Sequence, residues 1–155
     1  MKNLYKKGFT AIEILIVLSV VVILISIAIG SLSKVKENQV IKDSVQDVLS
    51  SLDKARTETL SSLNSSEYGV HFQADQVIIF KGKVYSAGAS TNEIISISSP
   101  ASISNVTLAG VSSTSGDFYF NRLSGAPSAT GTVTVSSTNF SKIITISATG
   151  IGSSN

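Results

Sequence analysis

The chain has 155 residues, 43% of them apolar and 14% charged, against roughly 25% charge in an ordinary soluble domain. Its formal net charge of +2 is too small to mark a nucleic-acid partner, and with no cysteine it holds no disulfide, thiolate metal site or cysteine nucleophile. The charge is also uneven. Lys2, Lys6 and Lys7 stand in the first eight residues without an acid, and the remainder carries nine bases against ten acids, a net of −1.

The first element is apolar. Phe9 to Ile29 is a run of 21 residues interrupted only by Thr10, Glu13, Ser19 and Ser26. As a helix it is about 31 Å long, close to the roughly 30 Å hydrocarbon core of a bilayer. Three lysines before the span and none within it predict that this end lies in the cytoplasm. Glu13 is the anomaly, since a carboxylate just inside such a span is costly unless it finds a partner.

The second element is amphipathic. Ile41, Val45, Val48, Leu52, Ala55 and Thr59 recur at spacings of 4, 3, 4, 3 and 4, and Leu49, Leu60 and Leu63 widen the stripe. Lys42, Asp43, Asp47, Asp53, Lys54 and Glu58 mostly lie off it. That is the period of a helix with one buried face. No proline precedes Pro100, and Gly30 weakens the join by only about 1 kcal/mol relative to alanine. The pattern predicts one nearly continuous helix from about Phe9 to about Leu63, roughly 82 Å long.

Beyond Asn64 the period changes to two. YGVHF sets Tyr68, Val70 and Phe72 on one face and His71 on the other, toward solvent. QVIIF is apolar on both faces, and a Lys-Gly turn in FKGKVY joins it to a further short strand. EIISIS, SNVTLAG, DFYFN, GTVTVSS and KIITISA follow between Ser, Gly, Asn and Pro punctuation, so seven or eight short strands are expected. Thr132 and Thr134 alternate with Val133 and Val135, which predicts one wet face and one core face. The helix stripe laid on the apolar sheet face closes the core. The fold class is α+β: a long N-terminal helix, transmembrane in its first half and amphipathic in its second, packed on a C-terminal antiparallel β-sheet head.

Catalytic chemistry is sparse. His71 is the sole histidine, Asp75 and Asp117 stand alone, and there is no G-x-S-x-G, phosphate-binding loop or EF-hand spacing. Phe118 and Phe120 share the core-facing side of their strand, and Arg122 by itself is not a basic patch. The chain does not read as an enzyme.

The start KKGFTAIEILIVLSVVVILI resembles the class III leader and helix of type IV pilins and type II secretion pseudopilins. The shared parts are a short basic leader, Gly8, Phe9, Thr10 and Glu13, then the long apolar run. The resemblance implies a cleaved leader over 1–8, a transmembrane and assembly helix over 9–30, and a head over 31–155 whose amphipathic helix runs to about 64. It implies that prepilin peptidase cuts between Gly8 and Phe9, that Phe9 is then N-methylated, and that Glu13 becomes the fifth mature residue, the family's assembly glutamate. Physical chemistry supports that last role. Cleavage creates the Phe9 α-amine, and in a bundle of parallel staggered helices Glu13 of one subunit meets the amine of its neighbour, which sets register in a low-dielectric interior.

The far end is similar to the GspH/FimT type of minor pseudopilin. The matching parts are ARTE (Ala55 to Glu58), YGVHF, FNRLSG, GTVTV and IITISATG. The cysteine pair of many major pilins and the acid-rich calcium loop of major pseudopilins are absent, since residues 123–155 hold no Asp or Glu. No metal or cofactor is expected. The implied partners are other pilin-like subunits, prepilin peptidase and an inner-membrane assembly platform. The implied location is a single pass in the inner membrane, with the head outside the cytoplasm. Two departures matter. Gly30 stands where many pilins carry a kinking proline, and no base follows Lys142, so DNA capture by a basic tail is not expected. The alternatives are a filament-borne adhesin or DNA-capture subunit, and a secreted β-rich domain cut after Gly30 by a plain signal peptidase.

Overall fold

The computed structural model describes residues 8–155. Lys2, Lys6 and Lys7, on which the cytoplasmic placement of the N-terminus rests, lie outside the described residues. The chain divides into two compact units, the second being Glu37–Asn155.

The helix α1 (Ala11–Leu60) starts in the first unit and runs into the second, and it begins two residues later than expected. Thr10 caps it. The Glu13 N–H donates to Thr10 Oγ1 and the Ile14 N–H to the Thr10 carbonyl, each at 3.3 Å. Thr-x-x-Glu is the sequence of a capping box. The hydroxyls of Ser19 and Ser26 donate back to the carbonyls of Ile16 and Val22 at 2.7 and 2.8 Å. These polar side chains are thus satisfied within the helix, as a lipid surrounding requires. The large apolar side chains from Ile12 to Ile27 remain 42–67% exposed. The segment is long and apolar enough to cross a membrane.

In the second unit the helix stripe finds its partner. Ile41, Val45, Val48, Leu52, Ala55 and Thr59 are all buried, none more than 7% exposed. They pack on the inner faces of two sheets rather than the single sheet expected. The strands are β1 (Tyr68–Gln73), β2 (Gln76–Lys81), β3 (Glu93–Ser96), β4 (Ser102–Leu108), β5 (Val111–Ser113), β6 (Gly116–Tyr119), β7 (Gly131–Ser136), β8 (Ser141–Ile146) and β9 (Gly152–Ser154). One sheet has the order β3-β2-β1-β6 and the other β5-β4-β7-β8-β9, with neighbours antiparallel. Val133, Val135, Ile144 and Ile146 face the core, while Thr132 and Thr134 face outward as expected. Phe118 and Phe120 are core residues, ring centroids 5.1 Å apart and edge-on.

Two expectations fail in the loop after β2. The chain does not form a strand over KVY. Instead it folds back and lays Tyr85 flat on His71, centroids 3.8 Å apart and planes 7° from parallel. Tyr85 also meets Phe80 edge-on at 5.7 Å. His71 is therefore buried, 9% exposed, and not solvent-facing. Alternation assigned its face correctly. The second face of this sheet carries Ile78 and Phe80, which are themselves apolar and buried, and so acquires its own cover.

Both ends of the head helix are tied by polar contacts. At its C-terminal end Thr59 Oγ1 donates to the Ala55 carbonyl at 2.8 Å and accepts the Tyr68 N–H at 2.9 Å. That explains a hydroxyl at the last position of an apolar stripe, because it satisfies the first amide of β1. Helix α1 then stops at Leu60. Ser62 turns left-handed (φ 53), and a single 3₁₀ turn follows at Leu63–Ser65. Leu60 and Leu63, read as widening the stripe, are instead 42% and 45% exposed.

At the other end the Glu37 carboxylate accepts the Asn139 side-chain amide at 2.8 Å and the Asn139 N–H at 2.9 Å, in the turn between β7 and β8. The Asn139 side chain first, then Ser137, hold the Glu37 pKa below the ordinary carboxylate value. A folded pKa below the unfolded one gives stability that is present above the unfolded pKa and lost as pH falls through the folded one. Glu37→Gln should therefore flatten part of the fall in melting temperature on acidification through the carboxylate range. The effect is small because the group is exposed. Superimposable pH profiles for the two proteins would remove the role given to Glu37.

Candidate functional site

The three residues singled out at the N-terminus occupy distinct local structures. Gly8, Phe9 and Thr10 precede the helix, in no regular secondary structure and exposed. Phe9 is 79% exposed, and no described residue approaches within 4 Å of the position a Gly8 side chain would take. The Gly8–Phe9 bond thus lies outside the helical hydrogen-bond ladder.

Glu13 lies in the first turn of α1. Its main chain is engaged by Thr10, while its carboxylate is exposed and makes no hydrogen bond or ion pair with any described residue. An acid here favours the positive end of the helix dipole by about 0.3–1 kcal/mol.

A second constellation lies in the head, and the sequence showed it only as separate short patterns. Arg56, in ARTE, donates its Nε–H to the carbonyls of Gly125 and Thr149, each at 3.2 Å. Gly125 closes FNRLSG and Gly150 closes ITISATG. Both turns need left-handed glycine, φ 63 and 81, and a side chain on Gly150 would strike the Gly125 carbonyl oxygen and stand 3.0 Å from Arg56 Nε. One arginine on the helix therefore fastens two turns that are distant in the chain. An arginine directly after an alanine of the apolar stripe, with two glycine-terminated patterns downstream, was the available signal.

The other polar groups are committed to packing. Lys54 Nζ pairs with Glu93 at 2.6 Å, and the hydrogen bond to Glu93 raises the Lys54 pKa. Both are about half exposed, so the pair contributes little to stability. His71 Nδ1 stands 3.5 Å from Asp117 Oδ1 without forming a hydrogen bond, so Asp117 is less isolated than the sequence suggested. Arg122 Nη1 donates to the Ser65 carbonyl at 3.0 Å.

A helix long and apolar enough to span a bilayer, in a chain whose remainder is an α+β head built on one helix and antiparallel sheets, is the architecture of a pilin-like subunit. The chain belongs to the GspH family: residues 44–150 match the family model for the type II transport protein GspH. No curated protein matches the chain, and no solved structure does. The family is one of structural pseudopilins rather than enzymes, and its members act with other pseudopilins of type II secretion.

Proposed function

We propose that the chain is a minor pseudopilin or minor pilin, made as a precursor and built into a type II secretion, competence or type IV pilus filament through its N-terminal helix. Prepilin peptidase cuts between Gly8 and Phe9, Phe9 is N-methylated, and the span over 9–30 holds the protein in the inner membrane. The head lies outside the cytoplasm. An inner-membrane assembly platform then passes the subunit into the filament, where Glu13 pairs with the Phe9 amine of a neighbour. The observation that carries this reading is the order of three local structures within six residues. An exposed, non-helical Gly8–Phe9 bond comes first, then the Thr10 cap, then a Glu13 carboxylate with no partner among the described residues. Family membership supports the filament, and the exposed aliphatic surface of α1 supports a helix bundle as its destination.

The test is the mass of the mature N-terminal peptide isolated from the native host. A chain beginning at N-methylated Phe9 is expected. A chain beginning at Ser31 would instead mean a plain signal peptide and end the pseudopilin processing scheme.

A further inference from the structure

The cleft between α1 and β9 has a volume of about 270 Å³ and is walled by Leu49, Asp53, Arg56 and Ile151 among others. Three independent features of it converge on one kind of occupant. The first is a strand edge. The Ser147 N–H donates to the Ile151 carbonyl and the Asn155 N–H to the Ile143 carbonyl, each at 3.1 Å, and Ser153 stands opposite Thr145. Antiparallel alternation then turns the main-chain groups of Gly152 and Ser154 outward, away from β8. Such an edge is usually blunted by shortness, proline, charge or a cover; β9 is short, three residues, and among the described residues has none of the other three.

The second feature is apolar. Ile151 is 58% exposed beside the half-buried Leu49. The third is electrostatic. Arg56 uses only its Nε–H, so its terminal N–H groups make no hydrogen bond to any described residue. Asp53, three residues earlier on the same helix, makes no ion pair or hydrogen bond from its side chain to any described residue. Two opposite charges that are not paired with each other thus face one cleft. A polyanion would be repelled by Asp53. An extended peptide with an acid and a base on one side complements both, and a carboxylate takes the planar guanidinium fork in bidentate fashion.

We infer that this cleft receives an extended segment of a neighbouring pilin-like subunit, which adds to β9 as a further strand and seats a carboxylate on Arg56. The inference rests on the filament reading and assigns it a contact outside the N-terminal helices. Main-chain bonds to Gly152 and Ser154 supply the pairing, and Arg56 with Ile151 sets which segment fits.

The chain has no cysteine of its own, so single-cysteine variants can carry a thiol-linked photo-crosslinker in the native envelope. Two sites are compared, Ser154→Cys on the strand edge and Ile16→Cys on the apolar helix. The expected result is a Ser154→Cys product with a pilin-like subunit, mapped to a segment containing Asp or Glu. Adding Ile151→Asp, which sets a like charge before the incoming carboxylate, should lower that yield by at least about fivefold, the effect of about 1 kcal/mol. The Ile16→Cys product should be unchanged. No product at Ser154→Cys while Ile16→Cys still crosslinks would overturn the strand-addition inference alone. So would a Ser154→Cys product indifferent to Ile151→Asp, or one formed with nucleic acid. Loss of the Ile16→Cys product as well would overturn the filament reading beneath it.

Discussion

Glu13→Ala is expected to be cut after Gly8 at the normal rate yet to enter filaments at least about tenfold less often, because removing one member of a buried ion pair costs about 3–5 kcal/mol. The structure supplies a competing account. Thr10 and Glu13 have capping-box spacing, so a carboxylate that reached back to the Thr10 N–H would act as a helix cap instead, although it makes no such bond among the described residues. Magnitude separates the two. Losing an N-terminal cap costs about 1 kcal/mol, and glutamine at the third helical position serves a capping box as well as glutamate does. Glu13→Gln keeps the cap and removes the charge. If charge sets register against the Phe9 amine, Glu13→Gln fails like Glu13→Ala. If filament yield with Glu13→Gln is normal, the cap is sufficient and the pairing role is wrong. Scoring the cleaved fraction separately from the filament fraction keeps a processing defect from imitating an assembly defect.

The head offers an effect of similar size. Gly131→Ala should destabilise it by about 3 kcal/mol or more, since overpacking that must move main chain lies at the upper end of such costs. Gly131 opens β7 and stands opposite Leu108 of β4 and Ile146 of β8. A Cβ there would run into the carbonyl oxygen of Thr107 and lie 3.0 Å from Leu108 Cα. Both obstacles are backbone, so no side-chain rotation relieves them, and β4 and β7 must separate at the strand pair that joins the middle of the larger sheet. The expected fall in melting temperature of the full chain in detergent is roughly 10 °C or more. Gly88→Ala is the control. It lies in open space and should stay within about 0.5 kcal/mol of the wild type. Equal melting of the two variants would mean that β4 and β7 are not paired in this register.

The elements legible in the sequence are those whose burial is periodic along the chain. The stripe from Ile41 to Thr59 is buried at all six positions, because a helix repeats its orientation every 3.6 residues whatever covers it. Val133 and Val135 against Thr132 and Thr134 are legible for the same reason at period two. The strands β5 and β9 read Val-Ser-Ser and Gly-Ser-Ser. With no apolar alternation they carry no local signal, and only their neighbours make them strands. His71 shows a related limit. Alternation placed it on the second face of β1, but what covers that face is decided by a loop whose Tyr85 returns from fourteen residues further along the chain.

The candidate sites divide along the same line. Gly8, Phe9 and Glu13 are neighbours in sequence, so their order could be read directly, and the structure adds the helix start at Ala11 that leaves Gly8–Phe9 outside the ladder. Arg56 was visible as a residue but not as a clamp. Its partners, Gly125 and Thr149, lie 69 and 93 residues away. Composition and periodicity by themselves determined a membrane-length helix, an amphipathic continuation and an α+β head, because burial in each element follows from its own repeat. The division into two sheets, the cover over His71, the Arg56 junction and the open edge of β9 were decided only by tertiary structure. Each depends on which distant segments meet, and hydrogen-bond partners far apart in the chain leave no period in the sequence.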